Sequence, residues 1–352
     1  MTVGVDGKGK QKRVTATRKS QKEALKELDK FREQKRKNSL VTTSACKVSE
    51  FIDRWLSIKE GQTKRTTYES YVDTCELHIK PALGGYRVQR LNTPLLNSYL
   101  AEKRKQGLSA ASVSRHRAIL HGILDLAVNE GIASYNVAEK CAAIKTERKE
   151  TKTLTPEEIK WLLEVARGAY EKDKGKGNKF FQIYHIVLLA LSTGARRGEV
   201  LALKWENVDV EQKKVLIKEN LVEVKGGLKV ETPKTKASRR VVAVDEDTIS
   251  RLQELRRDSE WVFCTRDAKP LSPSNVGRAF RKLVSDAGLD GLRFHDLRHT
   301  HATLLVSHGH NLKTVSARLG HNSIQITGNL YSHALPEQDR EAAERMGSWL
   351  SK

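Results

Sequence analysis

The sequence lacks an apolar stretch long enough to cross a bilayer. Its longest strongly apolar run, around Ile186 to Leu191, falls far short of the roughly 20 residues that a membrane helix needs. The opening residues, Met1 to Arg13, carry no apolar segment of the secretory type. Cysteine is scarce: Cys46, Cys75, Cys141 and Cys264 stand alone, with no C-x-x-C pair and no disulfide-framework spacing, as suits a reducing cytoplasm. No internal repeat or low-complexity tract is present. Secreted and membrane-spanning readings are therefore set aside, and a cytoplasmic location is expected.

Acidic residues are also in short supply. In 352 residues, 43 Asp and Glu face 64 Lys and Arg, a formal charge of +21. Such an excess usually means nucleic acid, because Lys and Arg displace counterions condensed on phosphates. The bland alternative is a merely soluble basic protein. The charge is densest at the start, with +8 over residues 1–40, +5 over 41–148 and +8 over 149–352. At roughly 100–200 residues per domain, the length predicts two or three domains.

Residues 1–40 begin with glycines and cations (Lys8, Lys10, Lys12, Arg13). Val14 and Thr15 to Thr17 suit a short strand, and Lys22–Lys37 suits a polar helix with Ala24, Leu25, Leu28 and Phe31 on one face. A small DNA-binding module and a solvated tail both fit this segment. Residues 45–145 read as all helix. Val48, Phe51, Ile52, Trp55 and Leu56 follow the helical period, as do Tyr68, Val72, Cys75 and Ile79 before Pro81 stops the run. Thr93-Pro94 reads as a cap with proline at the first helical position, Gly107 as a stop, and Ser109 as the next cap. Lys103, Arg104, Lys105, Arg115 and Arg117 flank these helices as candidate DNA contacts. After a charged linker, Thr155-Pro156-Glu157-Glu158 is a capping-box start. Helices continue to about Trp205. A strand-rich patch follows (Val215–Ile217, Leu221–Val224, a Gly226-Gly227 turn, Arg240–Val244), and helix returns from Ser272. Lys236, Arg239 and Arg240 in this patch are further candidate DNA contacts.

Seven of the eleven histidines lie between His295 and His333, so a metal site is the first hypothesis. His295 and His299 sit four apart, and His299-x-His301 and His308-x-His310 add donors. Against it, no H-E-x-x-H occurs, and Asp296 is the only carboxylate between Gly291 and Leu335. The expectation is no metal and no cofactor.

Other local words are more specific. Thr193-Gly194-Ala195-Arg196-Arg197-Gly198-Glu199 joins two helical segments. Thr232-Pro233-Lys234-Thr235-Lys236 lies in the strand patch. His295-Asp296-Leu297-Arg298-His299-Thr300 follows, then Leu319-Gly320-His321 and, ten residues on, Tyr331-Ser332-His333. This ordered set strongly resembles the tyrosine recombinase (phage-type integrase) family, across the catalytic half and into the helical middle.

The resemblance implies a mainly α, multidomain tyrosine recombinase/integrase fold: a helical core-binding domain plus a mixed α+β catalytic domain with a small antiparallel sheet. It divides the chain into an arm-type segment (1–40, with its opening strand missing or shortened), a core-site domain (45–145), a catalytic domain (150–336) and a docking helix (337–352). It implies metal-free cleavage of DNA, in which guanidiniums grip the nonbridging oxygens in a bidentate fork; these would be Arg196 and Arg298. Tyr331 would be the nucleophile, a phenol needing nearby positive charge and a proton acceptor. It would leave a 3′-phosphotyrosine and a 5′-hydroxyl, so that religation needs no ATP. The leaving 5′-oxygen needs an acid; Lys234 matches best, with Lys236 two residues away. His295 would be the acid/base partner of the tyrosine and His321 a donor to a nonbridging oxygen. Glu199 would orient the catalytic groups, or simply form an ion pair with Arg196 or Arg197. His299, Thr300 and His301 would give packing and support, and Arg197 local structure.

The implied partners are double-stranded DNA at core and arm sites, a homotetramer joining two duplexes through a Holliday junction, an excisionase and a DNA-bending host protein. The implied role is integration or excision of a mobile element. A type IB-like topoisomerase and a non-catalytic DNA-binding derivative of the family stand as alternatives. In the final segment, Ala342, Met346, Trp349 and Leu350 share a helical face too small to be a core. Two departures from the family pattern are Asn136-Val137 where Asn-Pro is usual, and Ala243 where proline is common.

Overall fold

A computed structural model of the chain describes residues 2–5, 11–13, 20–36, 46–145, 152–173, 182–232 and 239–320, with position 328 and parts of a final helix at 343–350. The chain divides into two compact units, Met1–Arg148 and Lys149–Lys352. Among the described residues no helix is long and apolar enough to cross a membrane.

The first unit opens with an antiparallel hairpin of β1 (Thr2–Val5) and β2 (Gln11–Arg13), followed by α1 (Gln21–Arg36). The strand expected at Val14 to Thr17 lies outside the described residues. Five further helices follow: α2 (Val48–Gln62), α3 (Arg65–Thr74), α4 (Lys80–Leu83), α5 (Thr93–Lys105) and α6 (Ala110–Asn129). Their apolar stripes meet in one core that includes Phe51, Ile52, Trp55, Cys75, Ile79, Leu96, Leu120 and Leu124. Burying each such side chain is worth about 1.5–3 kcal/mol. Gly122 lets α6 approach Trp55, since a Cβ there would stand 3.2 Å from the indole.

Two local expectations change. Pro81 does not stop the third helix: a π-helical turn, Cys75–Ile79, carries the chain into α4, where the proline occupies the first turn and so needs no N–H. The cap of α5 is Asn92, whose side chain accepts from the Leu95 N–H at 2.9 Å. The Thr93 hydroxyl instead donates to the Val137 carbonyl, tying the helix start to the end of the unit. There Asn136 donates to the His121 carbonyl and to Asp125 while its own oxygen accepts from the Ala138 N–H. The turn thus closes without the usual proline.

In the second unit, α7 (Pro156–Asp173) begins with the expected reciprocal cap between Thr155 and Glu158. It packs on α8 (Ile183–Thr193), which is buried at every residue from Ile183 to Ala190. A helix apolar on all sides must sit inside, and α8 is the pillar of this unit. After α9 (Arg197–Leu201), strands β3 (Val208–Asp209), β4 (Lys214–Ile217) and β7 (Arg240–Ala243) form a three-stranded antiparallel sheet. β5 (Asn220–Val224) and β6 (Gly227–Glu231) pair separately. The fold is mainly α, but the β patch is two small sheets. The tight turn falls one residue early, at Lys225-Gly226, with Val224 opposite Gly227. Four helices complete the unit: α10 (Glu246–Gln253), α11 (Pro273–Asp286), α12 (Phe294–Ser307) and α13 (Leu312–Leu319). α10 and β6 were not evident in the sequence: α10 is only two amphipathic turns long, and β6 is exposed at four of its five residues.

Candidate active site

The site grows from the ends of α8 and α13. Both helices close on a left-handed glycine, Gly194 (φ 65°) and Gly320 (φ 70°). Gly194 is doubly constrained, because a Cβ would lie 2.6 Å from Leu319 Cδ2 and 2.7 Å from His301 Cδ2. The chain then turns into α9 with Arg196 at its N-cap. Glu199, three residues on, accepts from the Arg196 N–H at 2.9 Å with one oxygen and from Arg196 Nη1 at 2.8 Å with the other.

Glu199 is buried, and its second partner comes from the sheet: Arg240 Nη2 donates to Glu199 Oε2 at 2.9 Å, with both side chains about 95% buried. Burial pushes the Glu199 carboxyl up, but the hydrogen bond and charge of Arg240, then the N–H and charge of Arg196, outweigh it and hold the pKa below the usual carboxylate range. Removing one member of such a buried pair costs about 3–5 kcal/mol. Arg240 also donates from Nε to the Arg318 carbonyl at 2.7 Å. The expectation that Arg240 touches DNA is therefore corrected: its guanidinium faces inward, beneath Glu199. Arg239, its neighbour, is exposed.

Arg298 projects from α12 into the same region, 3% exposed. Its Nη1 donates to the Gly194 carbonyl at 2.8 Å and its Nη2 to the Leu319 carbonyl at 2.7 Å. His295 lies one turn earlier on α12, with an exposed edge, and its ring meets His299 edge-on at 5.0 Å between centroids. Desolvation first, then the neighbouring His299 and the charges of Arg298 and Arg196, push its pKa down to about 4. His295 is thus neutral near pH 7 and able to accept a proton. Arg196, Arg298, His295 and Glu199 are brought together; Arg196 and Arg298 are 102 residues apart in the chain, yet both act on one imidazole.

The sequence reading missed Arg318. Its Nε donates to His301 Nε2 at 3.2 Å, and its Nη2 donates to the Ser192 and Ala243 carbonyls at 2.8 and 2.9 Å. His301 Nδ1 lies 2.6 Å from the Leu191 carbonyl. That carbonyl can only accept, so the proton is on Nδ1 and Nε2 is left to accept from Arg318. Burial, then the Arg318 charge, push the His301 pKa down to about 4. Arg318 stands two residues before Gly320-His321, and that proximity was the one available signal. Thr300 also serves structure, donating to the Asp296 carbonyl and accepting from the Leu154 N–H.

Lys234, Lys236, His321 and Tyr331 lie outside the described residues, as do Lys8 and Lys10; Lys12 and Arg13 fall on β2. In the helical unit Arg104 and Arg115 are exposed, donating to the Leu108 carbonyl and to Ser70, while Lys103 sits over the Tyr99 ring. Lys105 is exposed, and Arg117 is half-buried with its Nε enclosed.

Residues 140–338 match the Phage integrase family, and residues 47–109 match its N-terminal SAM-like domain. The chain is 28% identical to a "Tyrosine recombinase XerC-like" protein of Caldanaerobacter subterraneus, covering 98% of this chain and 94% of the relative. It is 25% identical to the ICEBs1 integrase of Bacillus subtilis, covering 97% and 94%. Among solved structures, the Tn1549 transposon integrase in complex with a circular intermediate DNA aligns with a TM-score of 0.74 at 19% identity, covering 86% of this chain and 99% of that one. A lambda integrase from a tetramer bound to a Holliday junction aligns at 0.64 and 21%, covering 91% and 92%. The protein is a DNA-strand-transferring enzyme of the tyrosine recombinase type. It belongs to the phage integrase family.

Proposed function

We propose that the chain integrates or excises a mobile genetic element, cleaving and rejoining DNA through a 3′-phosphotyrosyl bond to Tyr331. The observation that carries this reading is the convergence of three side chains: Arg298 bonds the Gly194 carbonyl two residues before Arg196, His295 lies one turn before Arg298 on α12, and the charges of both arginines help keep His295 neutral. Two permanent cations beside a proton acceptor are what in-line attack by a phenol on a phosphodiester requires. Arg196 and Arg298 neutralise the nonbridging oxygens, and His295 takes the phenol proton. His321 donates to a nonbridging oxygen, and Lys234, or Lys236 beside it, protonates the leaving 5′-oxygen. Glu199 keeps Arg196 oriented. The relatives named integrase, among them the ICEBs1 integrase and the Tn1549 transposon integrase, support the mobile-element role.

The division of labour follows the sequence: an arm module at 1–40, a core-site domain at 45–145, a catalytic domain at 150–336 and a docking helix at 337–352. Met346, Trp349 and Leu350 are 52%, 68% and 79% exposed. We assign this face to a neighbouring protomer in a homotetramer on DNA, with an excisionase and a bending protein as accessory partners.

A nicked duplex that loses its 5′-hydroxyl fragment after cleavage tests the chemistry. Wild-type protein is expected to become covalently attached, and Tyr331→Phe to lose all attachment; cleavage by the Phe variant would overturn the mechanism. Exchange of strands between two duplexes separates a recombinase from a topoisomerase. Truncation after Ser332 is expected to abolish exchange and tetramer assembly, and full recombination by the truncated chain would remove the docking role.

A further inference from the structure

Arg196 and Arg197 are adjacent, yet their side chains part company. Arg196 turns to Glu199, whereas Arg197 crosses to α11, where a Cβ on Gly277 would stand 2.8 Å from its Nη1. There it enters an open cleft of about 920 Å³ that is also lined by Arg278, Arg281, Arg293 and Asp290. Gly277, Arg278 and Arg281 lie three and four apart on α11 and so share one face. Arg293 is held at the rim by Nε and Nη2 bonds to the buried Asp296. Glu223, the acid that acts on Arg197, is occupied by Ser272 and Ser274 at the start of α11. Among the described residues neither the Arg197 nor the Arg281 side chain makes a hydrogen bond or ion pair. With Arg293 paired to Asp296, the guanidiniums of Arg197, Arg278 and Arg281 face Asp290 in the lining and Glu223 beside Arg197, which leaves the open cleft with an excess of positive charge.

We propose that this cleft is a second phosphate site: Arg197, Arg278 and Arg281 hold a backbone phosphodiester of the DNA duplex near the one addressed by Arg196. Because Arg196 caps α9 and Arg197 is its first residue, the protein constrains the distance between the two bound phosphates. The cleft then sets the register of the duplex at the reaction centre. This rests on the reading of Arg196 as part of that centre.

The test is the salt dependence of binding to duplex DNA by full-length protein. Each phosphate that the protein no longer neutralises should reduce the slope of log K against log salt by about 0.9. Arg281→Gln and Arg197→Gln are each expected to weaken binding several-fold and to flatten the slope by part of that amount, and the double variant by about all of it, on specific and random duplexes alike. Gly277→Ala keeps every charge and improves helix propensity, but its methyl displaces the Arg197 guanidinium. It is expected to weaken binding while thermal stability holds or rises, which a merely structural role would not produce. Unchanged affinity and slope in Arg281→Gln and Gly277→Ala would overturn the proposal, as would a loss confined to Arg197→Gln. Covalent capture of the wild-type protein on the nicked duplex reads the main mechanism separately. If capture fails, that mechanism falls while the slopes still report on the cleft; if capture succeeds with unaltered slopes, the cleft alone falls.

Discussion

Gly194 carries two demands at once, a left-handed backbone and room for Leu319 and His301. Alanine there should cost roughly 2–4 kcal/mol, combining the left-handed penalty with overpacking. It should also displace Ala195 and Arg196, so that strand cleavage falls along with stability. Urea unfolding and covalent capture would check this, and a variant as stable as wild type would count against it. At this scale the sequence is legible only where partners are close along the chain. The Arg196–Glu199 pairing spans three residues and is visible in the spacing. The Glu199–Arg240 pair spans 41 residues, and no local pattern announces it. β7 gives no hint of it: Arg240 and Val242 are buried and Val241 and Ala243 exposed, but Arg-Val-Val-Ala shows no apolar and polar alternation. Only the fold places Arg240 on the inner face with Val242, and its position after Arg239 suggests a basic patch instead.

Helix starts and stops are mostly readable because caps are local chemistry. Ser109, the Thr155–Glu158 box and Ser272 each cap the helix expected of them. The fifth helix shows the limit, since Asn92 and Thr93 are both good caps and only the Thr93 hydrogen bond to the distant Val137 carbonyl decides between them. Asn92→Ala should destabilise the protein by about 1 kcal/mol, measured by chemical denaturation; a neutral effect would remove Asn92 from the capping role. The π-turn before Pro81 is unreadable for a different reason. A proline ends a helix unless the preceding turn widens, and nothing in the residues from Cys75 to Ile79 marks that widening.

For the molecule as a whole, acid should be a denaturant well above the carboxylate range. His116 and His301 are buried and pushed down to about 4, by desolvation first and then by neighbouring charges. Between pH 6.5 and 4 the unfolded chain therefore binds protons that the folded chain refuses, and stability falls as the pH falls. The loss should reach a few kcal/mol across that window and level off below it for these two groups. Thermal melts from about pH 7.5 to about 4.5 would check the trend, and His116→Gln should reduce the slope; a flat profile would refute it. Arg298 gives the assembly one further property. The carbonyls that hold it, Gly194 O and Leu319 O, belong to the C-terminal ends of α8 and α13, where each helix macrodipole presents about half a negative charge. Two such ends supply about one unit, enough to match the guanidinium. The backbone thereby carries part of the counter-charge of Arg298, and it does so with dipoles whose direction is locked by the two helices. Arg298→Lys would keep the cation but could not face both helix ends in one plane.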